Sequence, residues 1–169
     1  MSAIVTPDIL ARFVVTTLTF EDLAKHDGEE LGAASNPYAV IGLTVKAVVK
    51  TDANVNSSSR GVALESMRFP PETSLSQIDL RFAKPQGGFG FFYSASQAAS
   101  LTVKGLAGQQ TVLEENLFHG GEGYAGMIRA RPEIGFVRIV AGIESLDVAQ
   151  DFGFYIDDLS FGRELKGSY

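Results

Sequence analysis

Apolar and polar residues alternate with a period of two along most of this chain. In Gln77-Ile78-Asp79-Leu80-Arg81-Phe82 the apolar members take one face, and Asp79 and Arg81 take the other. Leu101, Val103 and Gly105 alternate with Thr102 and Lys104, while Val137, Ile139 and Ala141 flank Arg138 and Val140. Val14, Thr16, Leu18 and Phe20 face one side, and Val15, Thr17 and Thr19 the other. Successive side chains of a strand point to opposite faces, so these runs predict half-buried antiparallel strands. With Tyr38–Lys50, Gly61–Glu65, Gly88–Ser94, Gln109–Asn116, Tyr124–Arg131 and Phe152–Phe161, the total is about ten strands.

Turn-forming clusters separate the runs: Asp52 to Ser59, Pro70-Pro71, Lys84-Pro85-Gln86-Gly87-Gly88, Gly105 to Gly108 and Gly120-Gly121. Asp52–Ser59 reads as a long exposed loop, and Met1–Ile9 and Arg163–Tyr169 read as frayed ends. No segment sustains a helical period, and Asp22–Glu30 has room for one turn of helix. Many short strands with Gly/Pro turns point to a sandwich or a barrel. The alternation places Phe20, Phe82, Phe152 and Phe154 inward, and Gly88–Tyr93 reads as an inner strand with one outward ring.

Near each end a hydrophobic strand runs into a carboxylate pair: Leu18-Thr19-Phe20-Glu21-Asp22-Leu23 and Gly153-Phe154-Tyr155-Ile156-Asp157-Asp158-Leu159-Ser160-Phe161-Gly162. The two motifs argue that the first and last strands meet. Carboxylates gathered there repel one another unless a cation or a basic residue offsets them.

Composition narrows the function. The 169 residues suit a single domain, with its core over about 12–162, and 45% of them are hydrophobic. A net charge of −6 argues against nucleic acid and against an anionic membrane surface. Cysteine is absent, which excludes disulfides, thiolate metal sites and a Cys nucleophile. Met1–Leu10 carries no signal-peptide pattern, and Phe13-Val14-Val15 is too short to span a bilayer. Asn56-Ser57-Ser58 fits a glycosylation acceptor, which matters only on a secretory route.

Constellations that suggest catalysis are weak. Gly121-Glu122-Gly123-Tyr124-Ala125-Gly126 matches G-x-G-x-x-G, but the context is all-β, so a flexible turn is expected instead of a dinucleotide site. His26 and His119 each stand near a carboxylate, Asp27 and Glu122, yet no serine sits in a nucleophile elbow. Glu114-Glu115 are adjacent on one strand and point apart, so they cannot form a glycosidase pair. No enzyme is expected.

The aromatic residues point to binding. A pyranose packs its C–H face on a ring and offers hydroxyls to polar neighbours. The chain has no Trp, so Tyr93, Tyr124, Tyr38, Phe118 and Tyr155 are the candidates; Tyr38, Phe118 and Tyr124 stand next to turns. Arg129 and Arg131 are expected on one strand face, with Arg138 nearby, where they either contact an acidic or hydroxyl-rich sugar or pair with Glu133 or Glu144.

The Phe-Glu-Asp strand end, the segment Tyr38-x-x-Ile41-Gly42-Leu43-Thr44-Val45 and the closing Phe-Tyr-Ile-Asp-Asp-Leu-Ser-Phe together resemble the galactose-binding-like superfamily. That superfamily includes many carbohydrate-binding modules. The resemblance runs from about Arg12 to Gly162 and implies an all-β, antiparallel β-sandwich of jelly-roll type. It also implies a structural calcium ion between the first and last strands, held by Glu21 and by Asp157 or Asp158, with backbone carbonyls near Tyr38 to Gly42. Calcium takes six to eight oxygen ligands, which agrees. The alternative for the same residues is structural: Glu21 caps the following turn, and Asp157-Asp158 end the strand or pair with Lys25 or Arg163. The resemblance favours an extracellular or cell-surface setting. The expected function is a non-catalytic module binding carbohydrate through Tyr93, Tyr124, Arg129, Arg131 and Tyr38. The alternative is a protein-interaction or assembly domain, structural or part of a toxin, with a protein partner.

Overall fold

The computed structural model describes residues 6–32, 34–53, 61–68, 76–95, 99–104, 111–118, 121–141 and 154–167. Among the described residues, twelve strands and one α-helical turn make up the regular structure: α1 (Pro7–Leu10), β1 (Phe13–Leu18), β2 (Glu30–Leu31), β3 (Leu43–Ala53), β4 (Gly61–Glu65), β5 (Met67–Arg68), β6 (Ser76–Gln86), β7 (Gly88–Ala95), β8 (Ala99–Lys104), β9 (Thr111–Phe118), β10 (Gly121–Ile128), β11 (Ile134–Ala141) and β12 (Phe154–Leu165). Short 3₁₀ turns cover Glu21–Leu23 and Ala39–Ile41. The expected all-β antiparallel sandwich of jelly-roll type is the observed class, and every pairing is antiparallel.

The strands run in the order β10-β7-β12-β4-β3-β6-β11-β8-β9. One long strand turns this ribbon into two layers. The first part of β3, Leu43–Lys46, pairs with β6, whereas Val48–Ala53 pairs with β4. The sheet therefore folds over along β3, and its two inner faces share one core. Leu43, Val45, Ala47 and Val49 line that core from β3, facing Ile78, Leu80, Phe82, Phe89, Phe91, Val137, Ile139, Phe154, Ile156, Leu159 and Phe161. Burying each of those phenylalanines contributes about 1.5–3 kcal/mol.

First and last strands do meet. β1 pairs with β12 from Leu18↔Leu159 to Phe13↔Leu165. The C-terminal stretch expected to fray is thus a strand as far as Leu165, held by that ladder. At the other end α1 forms where fraying was expected. Thr6 caps it by accepting from the Ile9 N–H, and Pro7 begins it with a pre-set φ. Leu10 then buries against Phe13 on the outer face of the β1–β12–β7–β10 layer, beside Val15, Tyr124 and Ile128.

Other expectations shift by a few residues. Ala39–Ile41 forms a 3₁₀ turn with Tyr38 at its N-cap, so β3 begins at Leu43. Lys84–Gln86 extends β6, leaving a bend at Gly87 alone. Gly121–Gly126 belongs to β10 and is no flexible turn; its glycines make room across the ladder. A Cβ on Gly123 would lie 2.7 Å from the Tyr93 hydroxyl, and one on Gly126 would overlap the Phe89 carbonyl. Phe20, Phe82 and Phe154 are buried as expected. Of the expected Asp52–Ser59 loop, Asp52 and Ala53 belong to β3; the rest of that segment, like Phe152, Pro70-Pro71, Gly105–Gly108 and Gly120, lies outside the described residues.

Gly126→Ala collides with backbone, which cannot rotate away, whereas a Cβ on Gly90 would meet the Tyr124 ring, which can. We expect Gly126→Ala to destabilise the fold by about 2 kcal/mol and Gly90→Ala by roughly half that in urea unfolding. Equal midpoints for the two variants would contradict this packing.

Candidate functional site

The two outer faces of the sandwich differ. On the β1–β12–β7–β10 layer, α1 covers a small apolar cluster. On the β3–β6–β11 part of the other layer, no helix lies over the sheet among the described residues. The period of two that sends Leu43, Val45, Leu80, Phe82, Val137 and Ile139 inward sends Thr44, Lys46, Gln77, Asp79, Arg81, Phe136 and Arg138 outward.

Register aligns these outward residues in rows. Thr44, Arg81 and Phe136 share one row, and Lys46, Asp79 and Arg138 the next. Asp79 accepts two bonds from Arg138, Nε at 2.9 Å and Nη2 at 3.0 Å, and a third from Gln77 Nε2 at 3.2 Å. The bidentate fork holds the guanidinium in a fixed plane. It also raises the Arg138 pKa, because the bond to Asp79 favours the charged form. Phe136 lies between two cations: the Arg81 guanidinium carbon stands 4.9 Å from the ring centroid and that of Arg138 stands 5.3 Å away. The ring is 6% exposed although its strand face is the solvent side. Three cations, Lys46, Arg81 and Arg138, thus surround one carboxylate on this face of a chain whose net charge is −6. Such a face suits a ligand carrying carboxylate or hydroxyl oxygens.

The expected ligand residues are dispersed. Tyr38 is 5% exposed; it packs on Phe20 with centroids 6.0 Å apart and donates to Asp22 Oδ1 at 2.9 Å. Burial, then that bond and the Asp22 charge, push its phenol far above the ordinary value. Tyr93 points inward from β7 with Phe89 and Phe91, and burial raises its pKa; Phe92 is the outward ring of that strand. Neither tyrosine presents a face to a ligand, because both point into the core. Arg129 and Arg131 follow β10 in the turn to β11 and do not share a strand face. Arg129 pairs with Glu133 through Nε. Tyr155 is half-buried on β12. His119 lies outside the described residues, as do the side chains of Phe118, Glu114 and Glu115. His26 bonds Glu29 at 2.9 Å at the surface, not Asp27, whose carboxylate accepts from the Thr51 N–H at 2.8 Å.

Tyr124 stays on an outer face. Its ring meets Phe92 edge-on, with centroids 4.9 Å apart, and covers Gly90. Burial, then the nearby charge of Asp158, push its phenol up to about 12.

The three carboxylates of the implied calcium site lie on two elements, the Glu21–Leu23 turn and β12. Glu21 begins a 3₁₀ turn and accepts from the Val62 N–H at 3.2 Å, at the start of β4. Asp157 and Asp158 are buried on β12 at a bulge: Asp157 faces Phe92 and Ser160 faces Gly90, one residue too many for β7. The extra residue puts Asp158 at φ +47, and Asp157 Oδ1 accepts its N–H at 2.8 Å. Asp is among the few side chains that tolerate that backbone. Among the described residues, no three His, Asp or Glu side chains are gathered closely enough to hold a metal ion.

The Tyr124 pKa carries a sign for stability. Folding raises it from 10.0 to about 12, so its stabilising share is full below pH 10 and is lost as pH rises through about 12. Tyr38 and Tyr93 act in the same direction. We expect the melting temperature to fall across that window and to fall less steeply in Tyr124→Phe. An unchanged slope in the variant would contradict the assignment.

No family model matches the chain, and no curated protein matches it in sequence. Solved structures do resemble it. A cleaved adhesin domain of Lys-gingipain superposes with a TM-score of 0.51 at 10% identity, over 88% of this chain and 99% of that one. A point mutant of the family 29 carbohydrate-binding module CBM29-2 gives 0.47 at 8% identity, over 88% and 91%. The enzymatically active domain of bacteriophage CBA120 tailspike protein 4 gives 0.44 at 12% identity, over 92% of this chain and 20% of that one. The likeness to the adhesin domain establishes the shared sandwich fold.

Proposed function

We propose that this chain is a non-catalytic binding module that takes an acidic carbohydrate on the open face of β3, β6 and β11. The observation that carries the reading is the Arg81–Phe136–Arg138 stack, with Arg138 fixed by Asp79. A guanidinium lying on a ring turns its N–H edges sideways, where they meet carboxylate or hydroxyl oxygens in their own plane. Because the stack is assembled before the ligand arrives, little rotamer freedom is lost on binding. Thr44 and Lys46 add a hydroxyl and a cation along the same rows.

Affinity electrophoresis through alginate or polygalacturonate is the test, with hydroxyethylcellulose as the neutral control. The acidic gels are expected to retard the protein. Arg81→Ala should weaken binding about tenfold, which is ~1.4 kcal/mol. Unretarded migration of folded protein in both acidic gels would sink the reading.

One further observation favours a protein partner as a second reading. Val40 is 93% exposed and Ile41 is partly exposed with it, at a 3₁₀ turn beside a cavity of about 310 Å³ that reaches Arg81. An apolar knuckle of this kind fits a pocket on another protein. Val40→Asp separates the readings, since it abolishes a protein contact and leaves gel retardation intact.

Neither reading depends on calcium. The melting temperature is expected to agree within about 1 °C in calcium and in chelator. Calcium linkage stabilises in proportion to site occupancy, so a rise of several degrees on adding calcium would restore the ion that the resemblance implies.

A further inference from the structure

The first strand has one edge that the open-face reading leaves unused. β1 pairs with β12 along one side, and among the described residues no strand pairs along the other. Nor, among those residues, does any turn or loop bond its backbone to Phe13–Leu18; the nearest such bond runs from the Lys166 N–H to the Arg12 carbonyl, at 2.7 Å. Alternate residues of β1 therefore turn their N–H and C=O groups outward along this edge.

The edge carries no guard. Open sheet edges normally bear a charge, a proline or a bulge, or are very short. β2 and β5 are two residues long. β9 and β10, the ends of the strand order, contain Glu114-Glu115 and an exposed Glu122. β1 runs for six residues, Phe-Val-Val-Thr-Thr-Leu, with no charge and no Pro. Phe13 and Val15 oppose Leu165 and Gly162, so the extra residue of that ladder lies on β12 and β1 stays regular. Its Val and Thr residues are β-branched and suit a further pleated ladder.

Charge at the two ends of the strand specifies the occupant. Arg12 precedes β1 and is exposed; Glu21 and Asp22 follow it and are exposed too. An antiparallel second copy sets the Arg12 end of each chain against the Glu21–Asp22 end of the other, so the complementary contact is made twice. The two faces of the strand agree with such a partner. Phe13 and Val15 lie on the α1 side, whereas Leu18 packs against the main core. A twofold axis perpendicular to the sheet keeps like face with like face, and the residue on the axis then opposes itself. Thr16, exposed and midway between Arg12 and Phe20, is that residue, and a Thr–Thr pair is favourable across strands.

We propose that β1 is a dimerisation edge: two copies of this chain pair β1 with β1, antiparallel about a twofold axis at Thr16, so that the β10–β7–β12–β1 layer of one continues into that of the other. The contact is one strand wide and smaller than the surfaces of permanent complexes, so the dimer forms and parts with concentration. Because the axis stands perpendicular to the sheet, both α1 turns lie on one side of the dimer and both β3–β6–β11 faces on the other. A polymer held by one open face then meets the second at high effective concentration. The pairing uses no residue of the open face, so it stands or falls without the carbohydrate reading.

Sedimentation velocity of the whole chain, from about 5 μM to about 500 μM, reads the association, with Kd expected on the order of 100 μM. Thr16→Lys sets two like charges against each other at the axis and should raise Kd at least tenfold. Val40→Asp and Arg81→Ala should leave it unchanged. The chain has no cysteine, so a single Thr16→Cys can form a disulfide only with a second copy. Opposed residues of an antiparallel pair stand about 4.5–5.5 Å apart at Cα, within disulfide reach. Under mild oxidation Thr16→Cys should therefore cross-link at least tenfold faster than Lys84→Cys, a control at another exposed position. Monomer at every concentration would overturn the proposal, as would a dimer that Thr16→Lys leaves intact, or equal cross-linking rates for the two cysteines. Where Thr16→Lys fails to fold, the cross-linking comparison decides alone.

Discussion

The position of β12 is the constraint on which the rest of the molecule depends. On one side it pairs with β7 from Phe154 to Gly162; on the other it pairs first with β4 and then with β1. One strand thus ties three partners together and carries Phe154, Ile156, Leu159 and Phe161 into the core. Its two neighbours on one side end and begin at different places, Ile156 for β4 and Leu159 for β1. A one-residue bulge at Asp157–Ser160, in the ladder with β7, lies opposite that handover. Both buried aspartates sit at that joint, where the ladder with β4 has stopped and the ladder with β1 has not begun.

The same handover separates the two outer faces. β1 arrives beside the second half of β12 and brings α1 with it, so Leu10 and Phe13 cover Val15, Tyr124 and Ile128. Across the sandwich, β3 pairs first with β6 and then crosses to β4, and no helix lies over that part of the sheet among the described residues. The result is one face with a second, small apolar core and one face of paired and stacked charges. Burial dominates the first; on the second, fixed geometry matters more than Coulomb energy, since ion pairs near solvent contribute only about 0–1 kcal/mol.

Much of the fold was legible because alternation survives the loss of all tertiary information. Gly61–Glu65 matches its strand at both ends, and the meeting of first and last strands follows from the paired motifs. What alternation conceals is phase. Ile156 and Leu159 both point inward although they are three apart, so the apolar rhythm of the closing strand skips at Asp157-Asp158 and marks the bulge. The resemblance implies metal ligation by the carboxylates there, and the backbone adds a local task for Asp157, whose carboxylate accepts the Asp158 N–H. Tyr93 was misjudged for a related reason: in Phe89-Gly90-Phe91-Phe92-Tyr93 every aromatic is a plausible core residue, and only register shows that Phe92 is the outward one. Arg129 and Arg131 needed the end of β10, and strand ends are weakly specified by propensity. Asp79, Arg81 and Arg138 were visible as the polar phase of their strands, but their shared face required the pairing of β6 with β11.

That pairing explains why the open face is more than a solvated sheet surface. A face whose task is solubility is satisfied by Thr, Lys and Glu in any order, each free to rotate. Here Phe136 occupies a solvent-side position and reaches only 6% exposure because two guanidiniums lie against it. Holding two arginine side chains in one arrangement costs each about 2 kcal/mol of rotamer entropy at most. Asp79 offsets part of that cost for Arg138 through its bidentate bonds, and Arg81 has the ring and its register neighbour Thr44. The stability gained is small compared with the order imposed. An arrangement that holds side-chain freedom down to align N–H edges fits the oxygen-rich acidic ligand proposed for this face.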